Sequence, residues 1–564
     1  MSEVEFTGVI LASTCGARLF PITNNTKSKA TDALDVDVET SDAASDEFMP
    51  KHLLPLAGRP LIHHLLQHCR GIGMEKIIVV ISADDDKTKS SLMQLGCKIS
   101  NEIDESTFEL DFGLTRIYLM RLPAGETGGS AEAMRCVIGK NLISPKSHVM
   151  VLPGDLVLYG QLVSSDNKAD EASGTSNSKL AVDALGSLAD VHRREYRHGL
   201  EKGVPLAMSL ILSDVGEEDE NGVPLKESAK AKKGGISREE QEIEFIGIAT
   251  IKNDHSPPTN RIILKEPKLN VEEDVHNTGS TPKLYIPKAR MHSPMNQMLI
   301  KTTWSDLHVF CFSPWALKLL LVNKKMKDLG KEFVPFLVSR QFRGVKSSFG
   351  LGSKKGSVTD EDTDAVEALI ETMNELKLDE ACRRLSMTDH GIDREFDDDD
   401  KEDYPFLVSA QILSRKHSKL SLRSSTLTSY AYACREVITN AIAASKAVDE
   451  SKIKKGKRDF CSLYLPENTQ IDAKNNSIIL PESTLGEKVV VKSSTIGKGV
   501  SIGGRCRLNN VIIHDNVQIG ENCVLQNTTI SEGCIIGDNC NLNNCQLRTK
   551  TSIPTGTKSK GESF

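Results

Sequence analysis

The 564-residue sequence contains no stretch approaching the roughly 20 apolar residues of a membrane-spanning helix, so nothing in it predicts a membrane protein. It has no strong excess of one charge. A formal net charge of -7 over this length advertises no general nucleic-acid surface, and direct nucleic-acid binding is not expected. No CxxC occurs among the 13 cysteines. The opening MSEVEFTG lacks both a basic stretch and the apolar run of a secretory signal, so the chain reads as cytosolic and its cysteines as reduced thiols.

Several short apolar runs are present, and they are uninterrupted rather than alternating: Gly8 to Ala12, Lys76 to Ile81, Thr115 to Met120, Ser147 to Leu152 and Leu206 to Leu212. Strands covered on both faces have this composition. Between them, Pro60 to Arg70 places Leu61, Ile62, Leu65, Leu66 and Cys69 at helical spacing. The succession predicts a doubly wound α/β sheet. Ligands of such sheets sit beyond the carboxyl ends of the strands, which draws attention to the loop after Ala12 and to Gly154-Asp155 after Leu152. Taken alone, Gly154-Asp155 also reads as an ordinary turn. His64 and His68 lie one helical turn apart but have no evident third ligand, so they read as helix-surface residues and no metal site is expected.

The segments GVILASTCGARLFPIT (8 to 23) and PKHLLPLAGRPLI (50 to 62), followed by Gly154-Asp155, resemble the signature of sugar-phosphate nucleotidyltransferases. In that family glycines wrap a triphosphate, an arginine and a lysine neutralise it, and the aspartate holds magnesium. The resemblance carries over Gly16, Arg18, Lys51 and Asp155 as a remnant pocket. Ser13 and Thr14 stand where the family has two glycines, and a Cβ there restricts positive φ and fills triphosphate space. An insertion at about 24 to 48 separates the loop from its lysine, and Leu264-Lys265-Glu266-Pro267 only partly matches the family's Glu-Lys-Pro. No second metal-binding aspartate stands out downstream. These departures predict a nucleotidyltransferase fold with no catalytic residues and no bound cofactor.

From Ile479 the chain repeats every seventeen residues: Ile479, Ile496, Ile513, Ile530 and Leu547; Leu485, Ile502, Ile519, Ile536 and Ile553; Val491, Leu508, Leu525 and Leu542. Steps of six, six and five describe three short strands per coil of a parallel β-helix, each with one inward aliphatic. Glycine follows several anchors, as in Ile502-Gly503 and Ile519-Gly520, and is read as easing a turn. Cys506, Cys523 and Cys540 share the period and read as an inward ladder, since thiols on one wall cannot surround zinc. The stack resembles the left-handed coils of hexapeptide-repeat proteins. His514 is the only histidine among the coils and reads as a corner residue, and an open edge is expected near Lys550.

The middle of the chain supplies the remaining order: paired strands at Glu244 to Ala249 and Arg261 to Lys265, a strand at Trp304 to Phe312, a helix start at Lys331 to Val338, and a last helix from Tyr430 to Ala444. Phe245-Ile246-Gly247, the 306 to 310 and 333 to 342 segments and Ser424 to Tyr430, taken in order, resemble the gamma-subunit family of the eukaryotic translation initiation factor 2B complex. The resemblance implies a nucleotidyltransferase-like domain over 1 to 445 with insertions at about 24 to 48, 160 to 185, 213 to 242 and 345 to 403. A linker over 446 to 470 and a left-handed β-helix over 471 to 564 follow. It also implies a non-catalytic, cytosolic subunit of the guanine nucleotide exchange factor for initiation factor 2. Its partners would be the epsilon subunit, the other subunits of that complex and initiation factor 2 itself. Two other readings remain: an active sugar-phosphate nucleotidyltransferase such as a GDP-mannose pyrophosphorylase, carried by Arg18, Lys51 and Asp155, and a hexapeptide acyltransferase.

Overall fold

Adjacent residues of the central strands are buried on opposite faces of one sheet, which is why their sequences are apolar without alternation. Val9, Ile78, Val80, Val149 and Val151 belong to one core, and Ile10, Ile77, Val79, Met150 and Leu152 to the other. The structure, a computed structural model, describes residues 4–13, 17–19, 21–23, 49–83, 85–123, 129–159, 184–202, 205–214, 243–251, 259–268, 298–322, 324–341, 406–413, 420–450, 465–466 and 468–564. Thr14, Gly16 and the insertions at 24 to 48 and 345 to 403 lie outside the described residues.

In chain order the strands of the first region are β1 (Phe6–Leu11), the hairpin β2 (Pro55–Leu56) and β3 (Arg59–Pro60), β4 (Lys76–Ile81), β5 (Lys98–Asp104), β6 (Thr107–Phe112), β7 (Thr115–Arg121) and β8 (His148–Pro153). They continue with β9 (Leu156–Tyr159), β10 (Leu206–Asp214), β11 (Glu244–Ile251), β12 (Thr259–Pro267), β13 (Met298–Lys301), β14 (Trp304–Phe312), β15 (Leu407–Leu413) and β16 (Leu420–Arg423). Twelve join one sheet in the order β13-β11-β12-β15-β10-β14-β8-β1-β4-β7-β6-β5. β8, β1, β4 and β7 run parallel, whereas β14 pairs antiparallel to both β8 and β10, so the sheet is mixed. β10 extends to Asp214, and a helix already begins at Ala184, so these ends of two expected insertions are ordered.

Helix α1 (Leu61–Gly71) follows the hairpin. Leu61, Ile62, Leu65, Leu66 and Cys69 are buried as the spacing predicts, but His63 and His64 are buried too. His64 is therefore no surface residue: its Nε2 donates to the Leu56 carbonyl at 2.9 Å. The reason is that α1 is covered by two cores at once, Leu65 facing the sheet and Leu61 facing the C-terminal region.

From Ser477 to Lys560 the strands stack in three parallel sheets, each pairing residue i with i+17, as Ile496↔Ile513 and Ile502↔Ile519 do. This is a parallel β-helix. Residues at positive φ recur once per coil at each corner: 482, 499, 516, 533 and 550 form one column and 488, 505, 522, 539 and 556 a second. Asparagine and glycine fill most of these places because a Cβ is tolerated poorly there and Asn tolerates it best.

The glycines after the aliphatic anchors have a different reason from the turn read in the sequence. A Cβ on Gly503 would lie 2.7 Å from the Gly520 carbonyl group and 2.8 Å from the Glu521 nitrogen, both backbone atoms of the next coil. Close coil-to-coil approach, not turn conformation, requires them. Gly503→Ala is accordingly expected to cost about 3 kcal/mol, at the upper end of overpacking because backbone cannot step aside; chemical denaturation of the variant measures it.

Leu485 is 42% exposed, since its strand is the edge of its sheet among the described residues. The stack does not open at Lys550 either. It continues through Ser552–Ile553 and Lys558–Lys560, and the Arg548 N–H donates to the Phe564 carbonyl at 2.9 Å. The long helix Leu427–Glu450 joins the two regions. Its Tyr430, Ala433 and Val437 share a core with Leu54 and Leu56 of the sheet region and with Ile478, Leu480 and Ile512 of the coils. The helix runs on to Glu450 and strand pairing begins at Gln470, so both ends of the 446 to 470 stretch belong to ordered elements.

Candidate functional site

The carboxyl ends of β1 and β8 meet at Leu11 and Pro153, and the Gly154 N–H donates to the Leu11 carbonyl at 3.0 Å. The next residue, Asp155, is fully buried. Its side chain is occupied. Lys51, in a single helical turn (Lys51–Leu53) before the hairpin, donates to Oδ2 at 2.7 Å. Arg423, the last residue of β16, lays its guanidinium across both carboxylate oxygens, Nε on Oδ1 and a terminal nitrogen on Oδ2, each at 3.2 Å. The backbone reinforces this placement: β16 pairs with β9 so that Arg423 faces Leu156, and the Ser424 N–H donates to the Asp155 carbonyl at 2.8 Å.

Burial pushes the Asp155 pKa up, but Arg423 and Lys51 outweigh it and hold the carboxyl well below the usual range. Two cations therefore face one anion in a buried place. Of the expected pocket residues, the structure brings Lys51 and Asp155 together. Arg18 sits exposed on the Ala17–Leu19 turn.

A second ionic cluster lies on the other side of β14. Lys265 of β12, 4% exposed, is 2.7 Å from Glu244 and 3.3 Å from Asp306. Burial pulls its pKa down, and the two carboxylates reverse that and keep it charged. Asp306 was legible only as part of a strand; a carboxylate inside the apolar run WSDLHVFCF was the signal that it has a partner. Its Oδ1 accepts from the His308 N–H at 2.7 Å where β14 departs from regular register and His308 takes φ of 55°. A cleft of about 260 Å³ adjoins Lys265, walled by Glu266, Glu332 and Phe336.

His52 and His514 are occupied as well. Thr88 donates its hydroxyl proton to Asp85 at 2.5 Å, so His52 Nε2–H must donate to Thr88 Oγ1, at 2.6 Å. Tyr430 donates to the Pro55 carbonyl at 2.5 Å, which leaves its oxygen to accept from His514 Nε2–H at 3.0 Å. His514 is a corner residue as read, buried between the sheet region and the coils. Cys506, Cys523 and Cys540 are all buried, as the inward ladder predicts, and Cys534 and Cys545 join them. No group of three His, Cys, Asp or Glu that could hold a metal occurs among the described residues.

The fold and this site define a nucleotidyltransferase-like α/β domain joined to a parallel β-helix. The cytidylyltransferase family matches residues 43–105, which carry Lys51, the β2–β3 hairpin, α1 and β4. Among curated proteins, the chain is similar to one named translation initiation factor eIF2B subunit gamma, from Dictyostelium discoideum. The two are 22% identical over 311 residues, 53% of this chain and 54% of that protein. The chain thus spans about half the length of the curated relative it matches. No helix among the described residues is long and apolar enough to cross a membrane.

Proposed function

We propose that this chain is a non-catalytic subunit of a guanine nucleotide exchange factor for translation initiation factor 2, paired with an epsilon-type subunit and acting in the cytosol. The observation that carries the reading is the pairing of Asp155 with Lys51 and Arg423: the carboxylate a nucleotidyltransferase would turn toward a metal is spent inside the protein. The similarity to a gamma subunit supplies the complex, and Ser13 in place of a loop glycine is consistent with it. The partners in this reading are epsilon, the other subunits of the complex and initiation factor 2.

Affinity purification of the tagged full chain from eukaryotic cells, followed by mass spectrometry, tests the proposal. Recovery of the epsilon subunit in roughly equal amount is the expected outcome, and its absence overturns the assignment. The match to cytidylyltransferases favours one second reading, an active sugar-phosphate nucleotidyltransferase such as a GDP-mannose pyrophosphorylase. Release of nucleoside triphosphate from sugar nucleotides with pyrophosphate and magnesium, at ordinary enzymatic turnover, would establish that reading instead.

A further inference from the structure

The nucleotidyltransferase fold implies a divalent cation at the aspartate that follows the fourth parallel strand, and the residues around Asp155 do not fit one. A divalent ion needs free carboxylate oxygens and a local excess of negative charge. Here Oδ2 is taken by Lys51 at 2.7 Å and by Arg423 at 3.2 Å, and Oδ1 by Arg423 at 3.2 Å. Both carboxylate oxygens thus face a cation already, so an incoming dication meets like charge beside a carboxylate that is screened from water. Among the described residues, Glu244 and Asp306 lie against Lys265 instead, at 2.7 and 3.3 Å. The helix Ser130–Gly139, another strand-end element, has its Ala131 N–H engaged by the Lys327 carbonyl at 2.9 Å, so that donor is not open to an anion.

We propose that Arg423 is a built-in replacement for the divalent cation: a guanidinium, delivered by β16, that neutralises Asp155 permanently and shuts the site to metal. A guanidinium suits the role because its fork matches both carboxylate oxygens and it does not lose its charge. Its position in the chain gives the exchange a structural use. Arg423 stands four residues before the Leu427–Glu450 helix on which the coils pack, so the ion pair fastens that helix to the strand ends where a metal and its substrate would otherwise compete. The inference does not depend on the identity of the partner subunits.

The test is a Mn²⁺ titration of the full chain, with free Mn²⁺ followed by electron paramagnetic resonance. The wild-type protein is expected to leave millimolar Mn²⁺ free. Arg423→Gln removes the charge and opens one carboxylate oxygen, and is expected to bind a single Mn²⁺ at least about tenfold more tightly, since a tenfold gain needs only ~1.4 kcal/mol. Asp155→Asn in that background should abolish the gain, and Arg423→Lys, which keeps the charge, should show none. Should Arg423→Gln not fold, Arg423→Met, which also removes the charge and fills similar space, is read the same way. Stoichiometric Mn²⁺ binding by the wild type, or a folded charge-removing variant with no gain, overturns the proposal. Either result leaves the subunit reading to be decided by the affinity purification.

Discussion

Acidification from pH 7 to pH 4 is expected to remove most of the protein's stability, and to do so before Asp155 and Asp85 begin to protonate. The cause is a set of histidines folded in the neutral form. Burial lowers His63, His148 and His514 to about 4 and His64 to about 3. His192 is also lowered well below the usual range, by burial and then by His148 beside it. Each has a folded pKa below its unfolded value near 6.5, so the unfolded chain takes up these protons first. The stability they carry is complete above pH 6.5 and is lost as pH falls toward 4. At 1.36 kcal/mol per pKa unit, His63, His64, His148 and His514 are each worth on the order of 3 kcal/mol, and together they are comparable to the 5–15 kcal/mol that domains typically possess.

Burial sets these shifts, and at His192 the neighbouring ring adds to it. His148 Nδ1 lies 2.9 Å from His192 Nε2, and His192 Nδ1 lies 3.1 Å from Ser209, whose hydroxyl is 2.7 Å from that of Ser409. One proton must sit between the two imidazoles, and a second would set two N–H donors against each other. Asp155 and Asp85 act in a lower window, since their pKa values are depressed and their contribution fades only below about pH 4. Thermal denaturation across pH 8 to 3 should therefore show two successive losses. His514→Gln keeps a donor for Tyr430 without a titrating ring and should flatten the upper one. A melting temperature unchanged between pH 7 and pH 4.5 would contradict the buried neutral assignment.

The central strands were legible because burial on both faces forces continuous apolar residues, and the coils because a seventeen-residue period is a geometric constraint repeated five times. What stayed hidden depended on pairing across sequence distance. Nothing local marks Arg423 as the partner of Asp155, 268 positions earlier, and the Ser-Ser-Thr stretch after it drew attention only through family order. His64 was misread because helical periodicity locates one buried face, whereas α1 is covered on two. The coil glycines were found for an incorrect reason: the sequence shows which residue sits beside an anchor but not that the next coil's backbone is 2.7 Å away. Of the pocket, Lys51 and Asp155 were read from the motif, and their mutual ion pair was not, since the same residues facing a nucleotide would have the same spacing.

Replacing Asp155 with alanine should be among the most damaging single substitutions in the chain, costing about 3–5 kcal/mol, because it removes the buried carboxylate that Lys51 and Arg423 share. Removing the charge from the cations as well should restore part of the loss: with Lys51→Met and Arg423→Met added, the site becomes apolar and the desolvation cost disappears with the charges. The sign of that recovery separates ionic pairing from mere packing, since three truncations of a packing cluster would accumulate cost. Lys140 and Asp104 form a pair of similar length, 2.9 Å, but they are 29% and 45% exposed. Asp104→Ala should cost less than about 1 kcal/mol, as water already solvates both ends. Urea denaturation of the four proteins measures these differences. If Asp155→Ala proves no worse than Asp104→Ala, water must reach Asp155, and the carboxylate would then be free to serve a ligand rather than the fold.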